Sequence, residues 1–108
     1  MSNLNNVANR IASHLSVKDE KFGIDPATIS IIISIIVNLV KLWWSCRSQS
    51  KAKKELKNPS WLFKLMMKRE IRKRVKGKQR KYMYDAFMDV APTLSETELN
   101  SILQEIGG

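Results

Sequence analysis

Residues 26–46 read PATISIIISIIVNLVKLWWSC, and this stretch decides the fold because nearly all of it is apolar. Asp25 and Pro26 precede the isoleucines as an N-cap residue and a first helical residue would. The many β-branched residues would also suit a strand, but the length and the Asp-Pro start favour a helix. Such a helix is about 31 Å long, which is close to the hydrocarbon thickness of a bilayer.

The polar residues of this helix follow one narrow stripe. Ser30, Ser34 and Asn38 recur at intervals of four, and Lys41 lies close to the same line. The remaining surface is apolar, so the helix has to be buried in protein or in lipid. Three environments fit: the core of the chain itself, a bilayer, or a bundle of identical helices from several copies.

In a bilayer or a bundle, the apolar surface of the helix makes the contacts. The expected contact residues are Ile29, Ile32, Ile33, Ile36, Val37, Val40, Trp43 and Trp44. The stripe of Ser30, Ser34 and Asn38 would then mediate helix–helix contact. Because the other helices of the chain are few and have narrow apolar faces, the sequence favours an extended helical protomer within an oligomer.

Charge divides the chain, which carries a net charge of +9, into four segments. Residues 1–22 predict an amphipathic helix, and residues 23–46 contain the apolar helix. Residues 47–81 hold fifteen basic and two acidic side chains, and they predict a basic linker followed by a basic amphipathic helix. Residues 82–108 are helical and acidic, and they would pair with the basic segment of a neighbouring copy. The prediction is an all-α chain of four to five helices with one long apolar central helix.

Helix start signals recur in the second half of the sequence. Asn58 and Pro59 predict the start of the basic helix, and Gly77 would interrupt it. Ser95 and Glu98 have the spacing of a capping box, in which each side chain accepts a hydrogen bond from the other's backbone N–H.

The basic helix is the main candidate binding site. Its cationic face consists of Lys64, Lys68, Arg69, Arg72, Lys73 and Lys76. A charge run is commonly just a solvated face, but a net charge of +13 over residues 47–81 exceeds what solubility requires. Such a face attracts phosphate, from nucleic acid or from anionic lipid. Trp61, Tyr82 and Tyr84 would be able to stack on bases, although core packing is the simpler explanation.

Residues suited to catalysis or metal binding are sparse. Cys46 is the only cysteine and His14 the only histidine, which excludes an internal disulfide and Cys-rich or His-rich metal sites. No nucleophile–base set and no Gly-rich phosphate loop is present. We therefore expect no catalytic residues, no metal, no cofactor and no small-molecule substrate in a protein that is not an enzyme.

Residues 22–29 read FGIDPATI and lead into the isoleucine helix, and residues 68–74 read KREIRKR within the basic helix. This order of segments, over roughly residues 22–106, resembles small proteins encoded among the structural genes of tailed bacteriophages. The resemblance implies a virion component in the internal core or near the portal and tail. It also implies release with the genome and entry into the host envelope.

We therefore expect a non-enzymatic phage virion structural protein that assembles in multiple copies. Its expected partners are further copies of itself, other virion proteins, DNA contacted without sequence specificity, and the host membrane during genome delivery. Two alternatives remain open at this point. One is a non-virion single-span membrane protein, holin-like or regulatory, and the other is a soluble nucleic-acid-binding module.

Overall fold

The computed structural model describes residues 3–18, 25–46 and 49–107, and residues 22–24 of the FGIDPATI motif lie outside them. All regular structure in these ranges is helical. The α-helices are α1 (Asn3–Lys18), α2 (Pro26–Cys46), α3 (Gln49–Lys57), α4 (Trp61–Arg74), α5 (Gln79–Val90) and α6 (Glu96–Gly107). A 3-10 turn, Ala91–Thr93, joins the last two. The all-α class is confirmed, but the predicted count of four to five helices is too low because part of the expected linker forms α3.

Local capping explains where α2 and α6 begin. The side chain of Asp25 accepts a hydrogen bond from the backbone N–H of Thr28 at 2.7 Å. This hydrogen bond lowers the pKa of Asp25 below its usual range. At α6, Ser95 accepts from the N–H of Glu98 at 3.1 Å, and Glu98 accepts from the N–H of Ser95 at 3.0 Å. The predicted capping box is therefore confirmed.

Helix α4 begins later than predicted. Its N-cap is Ser60, whose hydroxyl accepts a hydrogen bond from the N–H of Phe63 at 3.3 Å. Glu55 accepts from the N–H of Ser60 at 2.8 Å and holds this corner against α3. Gly77 has a φ of 66°, a left-handed conformation that suits glycine, and it separates α4 from α5 as the sequence predicted.

All six helices share one core. Side chains from every helix converge on a void of about 30 Å³ at its centre. The Cα radius of gyration is 12.8 Å, which matches the value of about 13 Å for a compact domain of this length. The expectation of an extended protomer is therefore wrong, because the short amphipathic helices fold back onto α2.

Helix α2 is buried on one side by the chain itself. Its neighbours are α1, α3, α4 and α6. The buried side chains are Thr28, Ile32, Ile35, Ile36, Leu39, Val40 and Trp43. The span Pro26–Ser45 is long and apolar enough to cross a membrane, and 39% of it is buried inside the fold. Three environments for α2 fit the sequence. In the structure, the buried side of α2 lies in the core of its own chain.

The polar stripe of α2 faces away from this core. Ser30, Asn38 and Lys41 are exposed, and Ser34 is half-buried. Helix α2 is therefore amphipathic, with a narrow polar side and a wide apolar side that four neighbours bury in part.

Replacing Ile32 with Asp should unfold the domain, because Ile32 is fully buried and the new carboxylate would have no partner. A loss of about 4 kcal/mol or more is close to the whole stability of a small domain. Ser30→Asp places the same carboxylate on the exposed side and should change the free energy of unfolding by less than about 0.5 kcal/mol. Urea denaturation followed by circular dichroism measures both variants. Equal damage from both would mean that the polar side of α2 is also buried.

Candidate phosphate-binding site

The excess charge of the protein is concentrated in one unit of the fold. Residues 64–81 contain ten basic side chains and one acidic one, so their net charge of +9 equals that of the whole chain. The rest of the sequence therefore carries nine basic and nine acidic side chains and is neutral. The charged unit comprises most of α4, the turn at Gly77 and the first turn of α5.

The acidic residues near the C-terminus neutralise other parts of the molecule. They pair with basic residues of α1 and α3: Arg10–Glu98 at 2.6 Å, Lys18–Asp89 at 3.1 Å, and Lys53–Glu96. Glu105 accepts hydrogen bonds from the first two backbone N–H groups of α1, at 3.1 and 3.3 Å. The acidic segment was expected to pair with the basic segment of a neighbouring copy, but in this fold it pairs within the chain.

Glu70 is the single acid of the charged unit, and it joins α4 to α2. Its carboxylate accepts hydrogen bonds from Arg74 at 2.9 Å, Lys73 at 3.1 Å and the amide of Asn38 at 3.2 Å. Burial alone would raise the pKa of Glu70, but the hydrogen bonds from Lys73, Asn38 and Arg74 outweigh burial and hold that pKa below its usual range. Asn38 was predicted to mediate helix–helix contact between chains, and here it makes such a contact within one chain.

The predicted cations lie on the outer side of α4 and, for Lys76, just beyond its end. Lys68, Arg69, Arg72 and Lys76 are exposed, and Lys64 is half-buried. Lys73 is also exposed, but Glu70 pairs with it. Among the described residues, Lys73 and Arg74 are the members of this unit that form ion pairs. The face therefore keeps most of its positive charge.

A cleft of about 360 Å³ lies between α4 and α5. Its lining residues are Lys68, Ile71, Arg72, Arg80, Lys81, Tyr84 and Asp85. The Nζ of Lys68 lies 5.0 Å from the centre of the Tyr84 ring, within range of a cation–π interaction. Arg80 also donates from Nε to the backbone carbonyl of Val75 at 2.7 Å, which fixes the turn between the two helices.

Arg80 and Lys81 were missed as candidate site residues. The prediction confined the site to α4, whereas the fold brings the first turn of α5 against it. The sequence feature that could have identified these two residues is the basic run that continues past Gly77, KGKQRKY at residues 76–82.

The aromatic residues near the site differ in their surroundings. Tyr82 and Tyr84 are half-buried and pack against the core. Burial, together with the charge of Asp85, raises the pKa of Tyr84 above its usual value. Trp61 is 77% exposed, so core packing does not explain it.

The structure also places the residues of α2 that were expected to contact lipid or other copies. Ile32, Ile36, Val40 and Trp43 are buried in the core, and Ile29, Ile33, Val37 and Trp44 are partly buried. The Trp43 ring meets Phe63 of α4 edge to face, with 5.4 Å between ring centres. The four buried residues are covered by other helices of the same chain, so a second copy is not needed to bury them.

In the part of the chain that the structure describes, no three His, Cys, Asp or Glu side chains come together as metal ligands would. Comparison with known protein families, with characterised proteins and with solved structures finds no match to this chain. The function is therefore inferred from the geometry and charge of these surfaces.

Replacing Glu70 with Gln should destabilise the fold by about 1–3 kcal/mol at pH 7, since hydrogen bonds to a buried carboxylate would be weakened. Because the pKa of Glu70 is lower in the folded state, its carboxylate stabilises the fold above the ordinary value of 4.5, and this contribution is lost as the pH falls through the folded pKa. The difference between wild type and variant should therefore shrink below pH 4.5. Urea denaturation across a pH series measures it.

Glu96→Gln is the matched control, because the Lys53–Glu96 pair lies at the surface and should contribute far less. A difference for Glu70→Gln that stays constant from neutral to acidic pH would contradict the assigned role of the carboxylate.

Proposed function

We propose that this protein binds the phosphate backbone of nucleic acid, without reading its sequence, through a basic face on α4 and the start of α5. The basic face consists of Lys64, Lys68, Arg69, Arg72, Lys76, Arg80 and Lys81. The observation that carries the proposal is the distribution of charge. Asp89 of α5 and Glu96 and Glu98 of α6 pair with basic residues of α1 and α3, so the cations of the basic face far outnumber the one acid, Asp85, that lines its cleft.

The geometry of the basic face suits a phosphate backbone. Helix α4 has 14 residues and is about 21 Å long, so its cations extend over several phosphates of a duplex. The cleft between α4 and α5 is lined by four cations, Lys68, Arg72, Arg80 and Lys81, and by one acid, Asp85, so its charged lining is predominantly positive, as a phosphate site requires. Lysine and arginine contacts to phosphate orient a protein on DNA but carry no sequence information.

The resemblance to small structural proteins of tailed bacteriophages suggests where backbone binding would take place, namely in the virion. We propose that the protein is a non-enzymatic virion component whose basic face lies against packaged DNA. Mass spectrometry of purified particles tests this location. Absence of the chain from particles would contradict the virion assignment and leave the proposal of backbone binding intact.

Entry of α2 into a bilayer is a separate proposal, supported by the length of this helix and its apolar composition. In the folded chain, Ile32, Ile36 and Val40 are buried against the other helices. Insertion would therefore require α2 to leave the core and expose the apolar faces of its neighbours. The same requirement applies to the alternative of a single-span membrane protein.

Binding to a labelled DNA duplex should be tight at low salt and should weaken steeply as salt rises, because cations on DNA are released on binding. The double variant Arg69→Ala, Arg72→Ala should bind unrelated DNA sequences more weakly by the same factor. It should also reduce the slope of the logarithm of the binding constant against the logarithm of the salt concentration, by about 1 for each phosphate that is no longer neutralised. Both arginines are exposed, so the fold should be unaffected. Fluorescence anisotropy over a salt series measures affinity and slope.

The matched control is Lys41→Ala with Lys54→Ala, which removes the same charge from exposed positions outside the basic face. This control should leave the salt slope nearly unchanged. An equal loss of affinity in both double variants would mean that net charge alone, and not the basic face, determines binding.

A further inference from the structure

The first turns of α4 carry an exposed apolar cluster next to the basic face. Trp61 is 77% exposed, Leu62 is 40% exposed and Leu65 is 45% exposed. Leu42 of α2 is 47% exposed and follows Asn38 by one turn, so it lies on the side of α2 that meets α4. The apolar cluster, defined as these four residues, contains four of the five large apolar side chains that the described residues leave exposed.

This apolar cluster is not explained by the fold or by phosphate binding. The inner side of α4 already supplies Phe63, Met67 and Ile71 to the core, so its outer apolar residues are not needed there. Single exposed leucines are ordinary, but a group that includes a tryptophan is typical of a contact surface.

Cations border the apolar cluster on both sides. Lys64 and Lys68 follow Trp61 at helical spacing, three and seven residues later. On the other side, a groove of about 360 Å³ is lined by Leu62 together with Lys51, Lys54 and Glu55 of α3, and the Glu55 carboxylate accepts a hydrogen bond from the backbone N–H of Ser60. The surface is therefore an apolar centre within a predominantly cationic border.

We propose that the outer side of α4 docks onto an anionic membrane surface, with the helix lying in the plane of the bilayer. Trp61, Leu62 and Leu65 would enter the interface between headgroups and acyl chains, where tryptophan is favoured. Lys64, Lys68 and Arg69 would meet the phosphates of the lipid headgroups. This mode of binding leaves α2 in the core, so it differs from insertion of α2.

Charge and shape favour a bilayer over a second copy of the chain. Two copies meeting through this surface would bring together two units that each carry a net charge of +9, and these would repel each other. The outer side of a helix is convex, and a fluid membrane surface accommodates it without a preformed groove.

Co-sedimentation with vesicles tests the proposal. We expect the full chain to bind vesicles of phosphatidylcholine and phosphatidylglycerol in equal parts at least about tenfold more tightly than vesicles of phosphatidylcholine alone. Trp61→Ser with Leu65→Ser should reduce binding to the anionic vesicles by about tenfold or more. The same variant should bind DNA within about twofold of wild type, because the cations remain.

Val17→Ser is the matched control, since Val17 is 86% exposed on α1, outside the cluster. It should bind vesicles as wild type does. Tryptophan emission should also shift to the blue on vesicle binding, and Trp61→Ser should remove most of this shift, because Trp43 is buried and Trp44 half-buried.

Three results would overturn the proposal. Vesicle binding that Trp61→Ser with Leu65→Ser leaves unchanged would show attraction by charge alone. Equal binding to neutral and anionic vesicles would remove the role of the cations. No binding to anionic vesicles would contradict membrane docking, and a dimer that the same double variant dissociates would then show that a second copy covers the cluster. Loss of DNA binding in Arg69→Ala with Arg72→Ala tests backbone binding independently of all three.

Discussion

The burial of the wide apolar side of α2 by the other helices of the chain is the constraint on which the rest of this structure depends. Four neighbouring helices share that side, and each contributes only a narrow apolar face. Each fully buried isoleucine or leucine on α2 contributes about 1.5–3 kcal/mol, a large share of the stability of a small domain. The remaining helices are therefore arranged around α2.

Packing around α2 also determines which acidic and basic side chains form ion pairs. Helix α6 approaches α1 and α3, so its acids meet Arg10 and Lys53 instead of the cations of α4. Glu70 is the one acid within residues 64–81, and its contact with Asn38 links the core helix to the helix that carries the charge. The basic face and the apolar cluster are thus the surfaces left over when the core and its ion pairs are complete.

Local features of the fold could be predicted from the sequence. The Asp25 cap, the Ser95–Glu98 box and the break at Gly77 each depend on a few neighbouring residues, and all three are present. The apolar run of α2 identified the helix itself. Its polar stripe was correctly recognised as one line, but the sequence did not show whether that line faced another helix or water.

Features that depend on how helices pack together could not be predicted. Each amphipathic helix has a narrow apolar face, and only their combined packing around α2 shows that together they bury six of its large apolar side chains. Arg80 and Lys81 join the site because α5 folds back against α4 beyond Gly77. Trp61 follows the N-cap at a position where a sequence pattern does not distinguish the inner side from the outer, so its exposure emerged only from the fold.

The most direct test of this account is the molar mass of the purified chain in buffer without detergent, measured by light scattering during size-exclusion chromatography. A core completed within one chain predicts a single species of 12.4 kDa that remains in solution. A stable higher oligomer, or a protein that stays in solution only with detergent, would show that α2 needs a partner outside its own fold and would contradict the account.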